Sequence, residues 1–250
     1  GGIGPEGLLA IPERKLFVTA AENDLREDGL IGSVVTIYER SEAPAAYPTL
    51  VSADKDGKPI GWAAISGTAA DRSAPGKLFA VVDSAQSQGA ILTIDATKSP
   101  AVITDRMVVT RDGKPVDNLD LEGISPASDG GFWLASEGNP EREKNKTQST
   151  LIRTDAKGVV VEEIALPADL AEKATRFGFE GVTVTGSGAD ETVWLAVQRE
   201  WKDDPKGMTK LLAYKPSDKS WAAVHYPLEK ADKGWVGLSE ITAVPGGLVV

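Results

Sequence analysis

The chain contains no cysteine and a single histidine, His225. Without thiols there is no disulfide, no thiolate nucleophile and no cysteine-based zinc site. The lone histidine lies in WAAVHYP, whose alternation reads as a strand at a sheet's outer edge, and no Gly-x-Ser-x-Gly elbow accompanies it. Long hydrophobic runs are missing as well. None approaches the roughly 20 apolar residues of a membrane-spanning helix, and no charged segment followed by an apolar one opens the chain. Positive charge is scarce: 27 Lys and Arg stand against 37 Asp and Glu, a net charge of −10. With no dense basic patch, nucleic acid is excluded as a general partner. The balance favours a cation, or an anionic small molecule reached through bound cations.

What the chain has in quantity is turn residues, 26 Gly and 15 Pro, and a periodic acidic motif. Glu-Gly opens PEGLLAI at Glu6, LEGISPA at Glu122 and FEGVTVT at Glu180, and LSEITAV carries Glu240. SGTAADR places Ser66 and Gly67 at the remaining position. From 6 to 66, 122, 180 and 240 the steps are 60, 56, 58 and 60 residues. A period this regular marks a repeat architecture.

Each unit reads as four short strands. In the unit from Glu122 these are GISPA, Phe132 to Ser136, TLIRT and VVVEEI, separated by the turns Ser128-Asp129-Gly130-Gly131 and Asp155-Ala156-Lys157-Gly158. The unit from Glu180 repeats the order. ADLAEKAT, residues 168–175, is the single helical stretch, two turns at most. Four antiparallel strands per unit describe a propeller blade. The expected fold is therefore all-β: a β-propeller of four-stranded antiparallel blades with a repeat of about 58 residues, forming one domain over residues 1–250. The chain begins on a strand-like run and stops inside LVV, so the sequence reads as an incomplete part of a larger propeller.

Blade geometry gathers the acids. The Glu of each motif starts an innermost strand, and a hairpin returns the second strand to the same level. Its far end carries Glu22, Asp83, Glu137 and the trio Gln198-Arg199-Glu200. One rim thus collects a ring of carboxylates, a second acidic tier and the most variable loops, which is where function usually sits. Two carboxylates about 4 Å apart repel by about 4 kcal/mol at an effective dielectric near 20. Shared protons, intervening cations or a hard metal ion relieve this, and Ca²⁺ suits a ring of oxygen ligands. A purely structural role stays open: Glu capping backbone amides and Gly permitting close packing at the axis. Five of the six tryptophans read as packing between blades; Trp201, in a loop, reads as a possible ligand contact.

GPEGLLAIP, IGWAAISGTAADRSAPGKLFAVVDS, DLEGISPASDGGFWLASEG, GFEGVTVT with VWLAVQRE, and GLSEITAVPGG together resemble the phytase-like, or esterase-like, β-propeller family of secreted and periplasmic bacterial proteins. The resemblance implies a periplasmic or extracellular Ca²⁺-assisted hydrolase of phosphoesters or phosphodiesters. Carried over by position, its recurring acids fall on Glu122, Glu180 and Asp83, then Glu6 and Glu137. Glu6, Glu122 and Glu180 are expected as metal ligands and Asp83 and Glu137 as ligand or base. Gln198, Arg199 and Lys202 are the expected substrate contacts. The sparse Lys and Arg near the motifs speak against phytate itself. They keep a second reading open, a non-catalytic calcium-stabilised propeller acting as a binding or scaffold module.

Overall fold

The computed structural model describes residues 5–21, 26–28, 32–42, 49–84 and 88–250. They form two compact units, Gly1–Tyr47 and Pro48–Val250. In the first, β1 (Pro5–Ile11), β2 (Leu16–Ala21) and β3 (Val34–Glu39) make a three-stranded antiparallel sheet.

The second unit is all-β apart from short helical turns. Its first sheet contains β4 (Leu50–Ser52), β7 (Ile65–Ala70), β8 (Lys77–Val82), β9 (Ala90–Asp95) and β10 (Ala101–Val108), in the order β4-β10-β9-β8-β7. Between β4 and β7 lies a small hairpin of β5 (Asp54–Lys55) and β6 (Lys58–Pro59), matched before the next sheet by β11 (Thr110–Arg111) and β12 (Lys114–Pro115). The second sheet is β13 (Leu121–Pro126), β14 (Phe132–Ser136), β15 (Thr150–Thr154) and β16 (Val160–Ala165). The third is β17 (Phe179–Thr185), β18 (Thr192–Val197), β19 (Met208–Lys215) and β20 (Ser220–Pro227). Both are four-stranded, antiparallel and sequentially ordered, and the whole is consistent with a propeller-like fold. A last hairpin pairs β21 (Thr242–Val244) with β22 (Gly247–Val249).

One element differs from the expectation, and the helix falls within it. The first sheet has five strands, because β4 pairs parallel with the outer strand β10 and carries Leu50 onto its core. The helix is α1 (Ala168–Ala171), one turn only. Its N-cap, Pro167, makes no side-chain capping bond, and a nucleus that short gains little from its own hydrogen bonds.

Strand periodicity partitions the core. In β8, Phe79 and Val81 face the second sheet, while Ala80 and Val82 join Ile60, Leu92 and Ile103 on the other side. In β14, Phe132 and Leu134 pack toward the first sheet, and Trp133 and Ala135 toward the third. Runs that are apolar at every position therefore bury both faces of the sheet.

The inner strands meet backbone to backbone. β13 packs against β7 on one side and β17 on the other. A Cβ on Gly67 would lie 2.8 Å from the Glu122 carbonyl oxygen. One on Gly123 would lie 2.6 Å from the Val182 nitrogen, and one on Gly181 would lie 2.6 Å from the Ile241 nitrogen. Gly67, Gly123 and Gly181 are thus the contact points with the segment that carries the next motif. Each also adjoins a register shift, at Ile65/Thr68, Leu121/Gly123 and Phe179/Gly181. Such a bulge re-aims the neighbouring side chain and increases local twist.

Gly123→Ala is expected to destabilise the protein by about 2–3 kcal/mol, because the colliding atoms are backbone. Gly61→Ala, with nothing within 4 Å of its Cβ, should stay within about 0.5 kcal/mol. Denaturant unfolding measures both.

Candidate functional site

The second-strand acids stand level with the residue two before each motif position. The Asp83 amide donates to the Ala64 carbonyl at 2.9 Å, the Glu137 amide to Asp120 at 2.7 Å and the Gln198 amide to Gly178 at 2.9 Å. This levels Asp83, Glu137 and Gln198 at one end of the sheets. The bulge turns Glu122 toward the same region, where carboxylate oxygens of Asp83, Asp120 and Glu122 lie within 4.8 Å of one another.

Asp120 was not expected here. Its signal is the spacing Asp120-Leu121-Glu122, two acids on one face of a strand. Asp120 and Asp83 share a hydrogen bond, and their acidities diverge. Burial and the bond to Asp83 raise the Asp120 carboxyl. Burial also acts to raise Asp83, but bonds from the Ser84 hydroxyl, Asp120 and the Ser84 amide outweigh it and leave Asp83 below the ordinary range. The Ser84 hydroxyl donates to Asp83 Oδ1 at 2.8 Å.

The glutamates are half-buried and mutually repelling. Burial first, then the charges of Asp83, Asp120 and Glu137, pushes Glu122 up to about 7, against a hydrogen bond from Ser66. Where the other motifs have a carboxylate, Ser66 supplies a donor to the neighbouring one. Burial, followed by the charges of Glu137, Glu122, Asp120 and Asp83, pushes Glu180 up to about 8. Gln198 Nε2 donates to its Oε1. Glu137 is raised by burial, opposed by the Gly178 amide donating at 3.0 Å and by the Arg142 charge. Glu240 is raised by burial to about 7 against bonds from the Ile241 and Thr68 amides. It ties the segment before β21 to β7, and none of the other acids figures in its shift.

Beside this cluster opens a cleft of about 490 Å³ lined by Ser84, Asp117, Asn118, Asp120, Arg142 and Thr147. A narrower one of about 260 Å³ shares Asp117, Asn118 and Thr147 with it and reaches Glu137. The wall formed by residues 117–120 follows the β11–β12 hairpin. That hairpin turns through Asp112 and Gly113 at positive φ, as its counterpart does through Asp56 and Gly57. Arg142 is the cation among the described residues lining the larger cleft, and it lies in a loop with no strand periodicity to advertise its direction.

The expected residues divide. Asp83, Glu122, Glu137, Glu180 and Gln198 come together. Arg199 does not join them. Alternation turns it away from Gln198, and its guanidinium lies 5.5 Å from the Phe177 ring centroid and 4.9 Å from that of Trp235. Lys202 is drawn to the helical segment, its amide donating to the Lys173 carbonyl at 3.0 Å and its Nζ to Glu172 at 3.4 Å. The Glu6 side chain and Glu22 lie outside the described residues. Trp201 is no ligand contact: it is 2% exposed, and its Nε1 donates to the Phe177 carbonyl at 2.8 Å. Its position after the variable Gln198-Arg199-Glu200 run suggested a surface loop, but the Lys210 ammonium, 4.9 Å from its ring, covers it. Among the described residues, no helix is long and apolar enough to cross a membrane.

The family model described as Phytase-like, esterase-like activity of phytase, matches residues 60–250. No curated protein matches the chain. A solved structure of a luciferin-regenerating enzyme superimposes over 95% of this chain and 79% of its own at 10% identity and a TM-score of 0.35, a likeness too loose to carry an argument.

The raised carboxyls set a pH dependence. Glu122, Glu180 and Glu240 hold protons in the folded state that the unfolded chain releases near its ordinary value of 4.5. The stability they permit is complete below that value and is lost as pH rises through about 7 to 8. Asp83, lowered, titrates beneath this window. In chelator, the melting temperature is expected to fall between pH 5 and pH 8; a flat or rising profile contradicts the geometry.

Substitution separates the repelled carboxylate from the capping one at pH 9, where both are ionised. Glu180→Gln removes a charge repelled by four neighbours and should raise the metal-free melting temperature by about 2 °C or more. Glu240→Gln also removes a buried charge, but it weakens two bonds from backbone amides, so its gain should be the smaller of the two. Thermal melts in chelator check the order.

Proposed function

This chain belongs to the phytase-like family, and from that premise we propose that its acidic cluster hydrolyses phosphoesters with the help of a bound divalent cation. In this reading the four-stranded sheets are blades of a propeller whose inner strands carry the site. The observation that carries it is the convergence of Asp83, Asp120 and Glu122 within 4.8 Å, next to a cleft whose wall holds Arg142.

The donor set fits a hard cation: every candidate ligand is a carboxylate oxygen, and their mutual repulsion raises Glu122 and Glu180. Glu122 and Glu180 would hold Ca²⁺, which when bound would neutralise their charge and supply Lewis acidity toward a phosphoryl oxygen. The protein's own residues account for the rest. Arg142 binds the anionic ester and Asn118 and Thr147 orient it in the cleft. Asp83, kept ionised by Ser84, accepts the proton of the attacking water. Asp120, whose carboxyl is raised, delivers a proton to the departing oxygen. Divergent acidities in a hydrogen-bonded pair are what such a division of labour requires.

A second reading has its own support. Glu137 and Glu240 are engaged by backbone amides, as expected of a scaffold whose central ion only stabilises it.

Turnover of p-nitrophenyl phosphate and bis(p-nitrophenyl) phosphate distinguishes the two. The hydrolase reading expects chelator-sensitive activity, a loss of about 10²-fold in kcat for Asp120→Asn, and a KM about ten-fold higher for Arg142→Ala. If Ca²⁺ raises the melting temperature and neither ester turns over, the scaffold reading replaces it.

A further inference from the structure

Next to the carboxylates lies a group of side chains that the hydrolytic reading leaves unused. Phe177 precedes Gly178, whose amide donates to Glu137 at 3.0 Å. Arg199 follows Gln198, whose side chain donates to Glu180. A Cβ on Gly237 would lie 3.1 Å from Gln198 Cγ and 3.1 Å from Trp235 Cζ3, so the Trp235 ring stands beside the side chain that donates to Glu180. That ring also lies 5.6 Å from Phe177, edge on, and 4.9 Å from the Arg199 guanidinium. Arg176 covers Phe177 from 4.7 Å.

Packing alone is a poor account of this group. Trp235 is 55% exposed, although it is the largest apolar side chain of its segment and the Phe177 ring lies against it. The other tryptophan in contact with this region, Trp201, is 2% exposed. Two guanidinium groups serve one phenyl ring, and Glu200, 3.3 Å from Arg199, is the one carboxylate among the described residues paired with either. The patch is therefore aromatic, open and locally cationic on a chain of net charge −10. Aromatic faces take planar rings, and adjacent guanidinium groups add cation–π attraction and favour a ligand that is also anionic.

We infer that Arg176, Phe177, Arg199 and Trp235 form a stacking platform for the planar aromatic part of an anionic ester whose ester group lies at the neighbouring carboxylates. The inference rests on the hydrolase reading for where the ester group sits, and on the platform alone for the ring. It selects aryl and nucleoside phosphates over sugar, glycerol or inositol phosphates as the substrate class.

Equilibrium binding of two phosphonates, which resist hydrolysis, tests it without turnover. Phenylphosphonate should bind about ten-fold more tightly than methylphosphonate, the scale of one aromatic stack. The difference should vanish in Trp235→Ala and persist in Trp235→Phe, with melting temperatures recorded for both to show that the fold is kept. The non-hydrolysable methylenephosphonate analogues of adenosine monophosphate and ribose 5-phosphate repeat the comparison for a nucleobase and separate the two sources of the ring. Equal binding of both phosphonates while methylphosphonate still binds overturns the platform and leaves the hydrolase reading standing. A phenyl preference that survives Arg142→Ala while methylphosphonate fails to bind sustains the platform and removes the phosphate site. Binding of neither phosphonate overturns both.

Discussion

The constraint on which the second unit depends is the contact between backbones of successive inner strands. At Gly67, Gly123 and Gly181 a methyl group would stand under 3 Å from main-chain atoms of the next strand. Ordinary strands pack through side chains and keep their backbones well apart. Here the interval is closed, and everything attached to these strands is brought inward with it. The bulge beside each glycine follows from the same demand, since a regular ladder could not both approach its neighbour and keep pairing with its own hairpin. The crowding of Asp83, Asp120, Glu122, Glu137 and Glu180 is a consequence of this approach.

That crowding is relieved unequally around the axis. Ser66 substitutes a hydrogen-bond donor for a charge and spends it on Glu122. Asp83 and Asp120 divide one bond between them. Glu137 and Glu240 accept from backbone amides. Glu180 accepts from the Gln198 side chain and is pushed up to about 8. Positions equivalent by spacing are therefore inequivalent by environment, and a site assembled from them has one polar sector, one proton-sharing sector and one strongly repelled sector. An asymmetric substrate can be held in one orientation by such an arrangement.

The strands of the second unit were legible because both of their periods are visible at once. Phe132 to Ala135 and Leu78 to Val82 are apolar at every position and bounded by turns, and Glu-Gly, or Ser66-Gly67 in its place, recurs near the head of β7, β13 and β17. The acids of the second tier followed from hairpin geometry alone. Three things were not legible. The parallel strand β4 comes from a three-residue run too short to show any period. Arg142 lies in a polar loop whose course is set by bonds such as Asn139 to Thr147, not by alternation. Arg199 and Lys202 were grouped with Gln198 by nearness in sequence, although adjacent residues of an extended chain point to opposite sides. Asp120 was within reach of the same rule, being two residues from Glu122, but it has no carboxylate counterpart two residues before Ser66 or Glu180.

The parallel strand β4 also bears on how this protein behaves in concentrated solution. A sheet's outer strand offers unpaired amides and carbonyls to any other chain. β4 covers that edge of β10 at Ala101–Ile103, and β16 carries Glu162 and Glu163 on its outer edge, paired with Lys219 and Arg111. β20 has neither protection. Its sequence SWAAVHYP is uncharged apart from His225, whose Nε2 is bonded to Asp204 at 3.0 Å, and Val224 is 54% exposed. Of the three outer edges described in the second unit, this is the one left open to strand addition, and a lysine in the middle of β20 is the substitution that would close it without touching the acids.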